Sequence, residues 1–201
     1  SLLMKAGEAT RKFGFDDLSS IEFGVTAASP SERAALIELT DGSVLNTKKL
    51  SIESRRLEIS LSCGGELEVN SRNVQSVRFK TYENQMGLGK QWQEITDDDS
   101  RKSDAIVITR NLRLATVEGI VGDISDDKLG FSIDERSARV AVDKLDAILF
   151  YHASGREMTT PVCEILLADN SRLLAVKIEW NLPLLRARLA CGTLAEIPVE
   201  K

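Results

Sequence analysis

Acid–base, nucleophilic and metal chemistry draw mainly on histidine, cysteine and grouped carboxylates, and this sequence spaces all three in ways that assemble no familiar constellation. His152 is the only histidine. It follows an apolar run at residues 147–150 with no nucleophile motif beside it, so it reads as a strand-end surface residue rather than a base or ligand. A single histidine also excludes HExxH and His-rich metal sites. Cys63, Cys163 and Cys191 are odd in number and none lies in a CxxC pair, which leaves neither a zinc signature nor a disulfide framework. There is no GxSxG elbow. Gly87-Leu88-Gly89-Lys90 lacks the GxxxxGK[ST] spacing of a phosphate loop and reads as a flexible linker. Asp97-Asp98-Asp99 cannot converge on one ion and reads as a solvated charge run. No catalytic residue, metal site or cofactor is expected.

Four aromatic residues remain as candidate ligand contacts: Tyr82, Trp92, Tyr151 and Trp180. Trp92 lies in a polar stretch, where it is either a stacking platform or a plug folded back over a barrel end. Trp180, in Glu179-Trp180-Asn181-Leu182-Pro183, reads as a hairpin residue packed between units.

Composition bounds the rest. The 201 residues carry 26 Lys+Arg against 31 Asp+Glu, a net charge of −5, which argues against a dedicated nucleic-acid binder. No stretch approaches the roughly 18 apolar residues of a membrane-spanning helix. Residues 1–12 show neither a basic n-region nor an apolar h-region, so no signal peptide is read there. With Ser1 in place of Met, the chain reads as cut from a longer protein.

The elements that must position these residues follow a period of two. Leu57, Ile59 and Leu61 alternate with polar residues, Cys63-Gly64-Gly65 turns the chain, and Leu67 and Val69 return. The same grammar recurs at Leu129, Phe131 and Ile133, returning through Val140 and Val142, and again at Leu185, Ala187 and Leu189 with Cys191-Gly192 at the turn. Each copy opens with a strand and polar turn, ending Asp41-Gly42-Ser43, Arg110-Asn111 and Asp169-Asn170-Ser171. Asp-Gly and Asp-Asn suit hairpin turns because they tolerate left-handed backbone and Asp bonds its own main chain. Leu39 to Leu61 and Leu167 to Leu189 are equal steps (61 − 39 = 22; 189 − 167 = 22); the middle step is three residues longer (133 − 108 = 25), which predicts a longer loop. Each unit closes on a shared signature: Val74-x-x-Val77-x-Phe79, Leu145-x-x-Ile148-x-Phe150 and Leu18-x-x-Ile21-x-Phe23, a single turn feeding an edge strand. Self-similarity at this period marks a repeat architecture.

A unit of strand, hairpin, two alternating strands, single turn and short final strand resembles the small Sm-like or SH3-like barrel. Residues Ile37-Glu38-Leu39-Thr40-Asp41-Gly42 look like the first Sm signature, and Asn73-Val74-Gln75-Ser76-Val77 look loosely like the second. The basic Arg-Gly element of RNA-binding members is absent, since the sequence reads Ser71-Arg72-Asn73. The chain also resembles large exported bacterial proteins of unassigned role that string such barrels together and sometimes end in an NPCBM-type carbohydrate-binding module. Gly119-Ile120-Val121-Gly122-Asp123-Ile124-Ser125-Asp126-Asp127-Lys128, Ile148-Leu149-Phe150-Tyr151-His152 and residues 163–171 carry that likeness. The resemblance implies export to the periplasm or cell surface and transfers no catalytic residue.

The expected fold is all-β, with about three tandem five-stranded antiparallel SH3-like barrels and little helix. Residues 34–80 and 104–152 are whole units, 81–103 a linker or insertion, and 162–201 a partial unit. Residues 1–25 are closing strands that complete the C-terminal unit within one chain or between two, the latter a dimer by strand exchange. The expected function is a non-catalytic structural or binding repeat with a protein or carbohydrate partner and no nucleic acid; an Sm-like nucleic-acid binder is the alternative, and an enzyme with a site between barrels ranks last.

Overall fold

A computed structural model describes residues 2–6, 9–13, 34–82, 87–98, 100–134, 136–153, 158–181 and 183–198. Strands β1 (Leu2–Ala6) and β2 (Ala9–Phe13) form a two-stranded antiparallel sheet. The closing signature at residues 18–23 lies outside the described residues.

The first unit runs through β3 (Ala35–Leu39), β4 (Val44–Glu53), β5 (Arg56–Leu61) and β6 (Glu66–Asn70) as a meander. A 3-10 turn at Ser71–Asn73 then feeds β7 (Val74–Arg78), which returns antiparallel to β3. β4 is long enough to pair with β3 through its first half and β5 through its second, and a register shift between Thr47 and Lys49 bends it between the two. Alternation does what the sequence implied. Ile37, Leu39, Leu57, Ile59, Leu61, Val69, Val74 and Val77 are all 1% exposed or less, and they meet inside the curled sheet.

The second unit repeats this order: β8 (Asp104–Arg110), β9 (Arg113–Ser125), β10 (Lys128–Ile133), β11 (Arg136–Ala141), a 3-10 turn at Val142–Lys144 and β12 (Ala147–Leu149) on β8. The third supplies β13 (Cys163–Leu166), β14 (Arg172–Asn181), β15 (Leu184–Leu189) and β16 (Leu194–Pro198). All fourteen of these strands join one antiparallel sheet. The protein is all-β, with a single α-helix among the described residues, α1 (Leu88–Thr96).

Three expectations need correcting. The three extra residues of the middle unit do not lengthen a loop: β8 and β9 pair from Asp104↔Gly119 out to Arg110↔Arg113, so the added residues extend a ladder closed by a two-residue turn. Asn111 and Leu112 both take positive φ there (51° and 60°), the backbone that matches the twist of a two-residue hairpin. The closing strands are not edges either. β7 lies between β3 and β12, and β12 between β7 and β8. Finally, Gly87-Leu88-Gly89-Lys90 opens α1 rather than forming a loop.

That helix explains a failure of alternation in the sequence. Residues 104–107 of β8 and all of β12 are buried without a break. Ile106 and Ile148 face the interior of the sheet, whereas Ala105, Val107, Ala147 and Leu149 face outward beneath Leu88 and Trp92 of α1. A strand covered on both faces has no polar side to alternate with.

Candidate functional site

The buried polar groups of this protein are concentrated where units meet. Leu39 corresponds to Leu167 and Leu61 to Leu189, so Asp41, Ser43 and Cys63 of the first unit correspond to Asp169, Ser171 and Cys191 of the third. Each Asp folds its own turn: Asp41 Oδ1 accepts from Ser43 N (2.9 Å), and Asp169 Oδ1 from Ser171 N (2.8 Å). The second oxygen of each crosses to the other unit. Asp169 Oδ2 accepts from Cys63 N at 2.9 Å, and Asp41 Oδ2 from Cys191 N at 2.8 Å.

The serines are exchanged in the same way. Ser171 Oγ accepts from Asn46 N (2.7 Å) and Ser43 Oγ from Leu174 N (2.9 Å), with both serines wholly buried. Because each bond has its counterpart with the roles reversed, a local two-fold axis relates the first and third units. Arg172↔Val44, a pair of equivalent positions, is the strand bridge beside that axis. Asp-x-Ser is therefore more than a turn sequence. It is half of a reciprocal clasp whose other half is the cysteine-bearing turn 22 residues on. Sequence reading found both pieces and assigned each only to its own hairpin. The available signal was their joint presence in the first and third units and joint absence from the second.

The first and second units meet through a different face with the same logic. β7 and β12 pair antiparallel, centred on the equivalent residues Val77↔Ile148, and the far ends of β4 and β9 bridge at Ile52↔Ile124. Phe79 N donates to Asp146 O (2.8 Å) and Phe150 N to Gln75 O (3.1 Å), again a reciprocal pair. Two buried acids stand at this joint. Asp104, 7% exposed, accepts from Tyr151 N (2.9 Å) and Val121 N (3.3 Å), with Arg55 from the first unit 3.8 Å away. Asp146, 1% exposed, has Lys80 Nζ at 3.3 Å as its charge partner. Sequence reasoning passed over both acids. An Asp set inside an apolar run, as in Ser103-Asp104-Ala105-Ile106 and Leu145-Asp146-Ala147-Ile148, was the signal available.

The four candidate aromatics separate. Tyr82 and Trp92 come together, ring centroids 5.9 Å apart, buried under α1 with the Arg78 guanidinium 5.5 Å from the Trp92 ring. Among the described residues Tyr82 Oη has no hydrogen-bond partner, and burial, aided by the charge of Asp146, pushes its phenol well above the usual tyrosine range. One edge of Trp92 lines a polar groove of about 340 Å³ with Glu38, Thr40, Gln75, Gln93 and Asp97. Tyr151 is 45% exposed and lines a second groove, of about 380 Å³, with Arg72, His152 and Ala153. Trp180 is half-buried against the main core.

His152 is tied to the first unit: its Nε2 lies 2.6 Å from Val74 O, and since a carbonyl only accepts, that nitrogen carries the hydrogen. The cysteine thiols are suppressed as nucleophiles. Burial, then the charge of Asp169, pushes Cys63 up to about 12, and burial raises Cys163 and Cys191 as well. Among the described residues no group of three or more His, Cys, Asp or Glu is placed to hold a metal ion, and no helix is long and apolar enough to cross a membrane. Comparison with protein-family models, with curated proteins and with solved structures found no match to the chain.

Proposed function

We propose that this chain is a non-catalytic structural and binding repeat from a larger exported bacterial protein, built of SH3-like or Sm-like barrels, two complete and one represented by four strands. The barrel reading is supported by the pairing of each closing strand with the first strand of its own unit, β7 on β3 and β12 on β8, after a single 3-10 turn. One observation carries the functional reading: the half-buried Asp41 and buried Asp169 carboxylates and the buried Ser43 and Ser171 hydroxyls are already engaged by backbone amides of a neighbouring unit. Polar groups committed in this way hold units at a fixed mutual angle. They are not free to bind and release a substrate.

Among the described residues, two grooves offer a surface to a protein or carbohydrate partner, one bearing Tyr151 and the other the edge of Trp92. Such a partner would stack on an aromatic ring and meet side-chain amides and charges around it. The test is titration of the intact chain with oligouridine RNA between ~50 and ~200 mM salt, followed by tryptophan fluorescence, since phosphate contacts weaken steeply over that range. No saturable change is expected. Saturable binding that falls steeply with salt would overturn the reading in favour of an Sm-like nucleic-acid protein.

A further inference from the structure

The polar groups at the joints between units are committed to one another, whereas those of the groove beside α1 are not. Glu38 of β3, Gln75 of β7, and Gln93 and Asp97 at the C-terminal end of α1 border its volume of about 340 Å³. Glu38 and Gln75 are half-buried, and among the described residues neither the carboxylate nor the side-chain amide has a hydrogen-bond or ion-pair partner. Trp92 lines the same groove and is 9% exposed, so its one polar atom meets little solvent besides the groove. Its Nε1–H makes no hydrogen bond among the described residues.

The electrostatics of the groove are one-sided. Glu38 and Asp97 supply two carboxylates, and Asp97 is met only by the neutral Gln93 amide, whose Nε2 donates to its two oxygens at 3.0 and 3.3 Å. The end of α1 is a third source of negative potential. Its last turn carries no basic residue to offset the carbonyls that close a helix. No lysine, arginine or histidine lines the groove among the described residues. Arg78 stands 5.5 Å from the centre of the Trp92 ring and outside the lining. A cationic ligand is drawn to such a site and an anionic one is repelled.

Trp92 sets a second requirement. Tyr82 and Arg78 already engage its ring, so a ligand in the groove meets the ring edge. The edge is the positive part of the aromatic quadrupole, and an N–H there pairs with an oxygen acceptor rather than with a cation. The Gln75 amide both donates and accepts, as a hydroxyl does. The ligand therefore carries an ammonium and, apart from it, neutral hydroxyl oxygens.

We propose that this groove binds an amino sugar, with its ammonium on Glu38 and Asp97 and its hydroxyls on Trp92 Nε1–H and the Gln75 amide. A lysine side chain brings the same ammonium but no hydroxyl, which favours the sugar. The inference rests on the reading of the chain as a binding repeat and narrows its partner to one class.

The test is calorimetric titration of the intact chain at about pH 6, where the amine is charged and the carboxylates are ionised. One titrant is a glucosamine trimer. The other is the N-acetylglucosamine trimer, which has the same rings with the amines made neutral. Saturable binding of the glucosamine trimer is expected, roughly ten-fold or more tighter than that of its acetylated counterpart, the effect of one charge-assisted bond. Glu38→Gln should remove that preference while keeping the urea midpoint, because Glu38 has no partner to lose. In a Trp180→Phe chain, where Trp92 is the remaining tryptophan, the same titration should change the fluorescence.

Equal binding of the two trimers, or a preference that survives Glu38→Gln, would overturn the assignment. Absence of saturable binding by either trimer would overturn the site. Tighter binding of Nα-acetyl-lysine amide than of the glucosamine trimer would overturn the sugar in favour of a protein side chain. None of these outcomes bears on the RNA titration, so failure here and failure of the proposed function are told apart.

Discussion

Asp169 offers the most direct measure of what the clasp contributes. Its carboxylate is 7% exposed and accepts two backbone amides, Ser171 N at 2.8 Å and Cys63 N at 2.9 Å. Asp169→Ala leaves both donors without a partner in a site with little access for water. At ~1–3 kcal/mol per stranded buried donor, and somewhat less than the sum because the site relaxes, the loss is about 2–5 kcal/mol. Asp41 makes the mirror-image bonds from a half-buried position where water can substitute in part, so Asp41→Ala costs about 2–3 kcal/mol. The double variant should lose less than the two together, because once one half opens the other no longer spans a closed joint.

The two tryptophans make the assay local. Trp180 lies in the third unit and Trp92 over the joint of the first two. Urea unfolding in Trp92→Phe and Trp180→Phe backgrounds reports each region alone. With the clasp intact, both transitions should coincide. In Asp41→Ala/Asp169→Ala the Trp180 transition should move to lower urea, ahead of the Trp92 transition. A loss below ~1 kcal/mol in the double variant would refute the reasoning, because two stranded buried amides alone should exceed it.

Two further outcomes are expected. A Cβ on Gly119 would stand 2.6 Å from Phe131 Cζ and closer still to the Ser132 carbonyl, and Phe131 is 3% exposed with nowhere to go; Gly119→Ala should cost about 3 kcal/mol by urea denaturation, the upper end of overpacking losses, and a cost below ~1 kcal/mol would contradict the packing. Cys63 is raised from 9.0 to about 12 by burial first and by Asp169 second, so the folded state favours the neutral thiol: its contribution is complete below pH 9.0 and is lost as pH climbs toward about 12. Stability measured across that interval should fall less steeply in Cys63→Ala, and an unchanged slope would remove the thiol as the cause.

Much of the fold could be read from period two alone, because a half-buried strand must alternate and each unit is made largely of such strands. The polar pair of the closing signature did not mark the turn: Gln75 and Ser76 lie inside β7, at a register shift against β3, and the 3-10 turn stands ahead of the signature at Ser71–Asn73. What escaped were features created by contact between units. β7 and β12 looked like edges because their sequences end in a short apolar pair, and nothing local states that two closing strands will pair with each other. The helix at residues 88–96 was masked by Gly87 and Gly89 and by a polar flank, although Leu88 and Trp92 stand at the i, i+4 spacing that covers β12. The turn role of Asp41 and Asp169 was visible over two residues. Their second oxygens serve amides 150 and 106 residues away, a separation at which no local pattern carries information.

The second unit has neither component of the clasp. Where the others carry Asp-x-Ser it has the two-residue turn Asn111-Leu112, with Leu112 85% exposed, and Ile133 and Arg136 are joined by a turn too short to reproduce the cysteine-bearing one. The units thus differ in valence. The first is divalent, joined by a clasp to one neighbour and by its closing strand to another, whereas among the described residues the second is monovalent. Assembly in which the two kinds of joint alternate can continue only through divalent units, so a unit whose turns lack the Asp, the Ser and the cysteine-bearing turn terminates it, as a monofunctional monomer ends a condensation polymer.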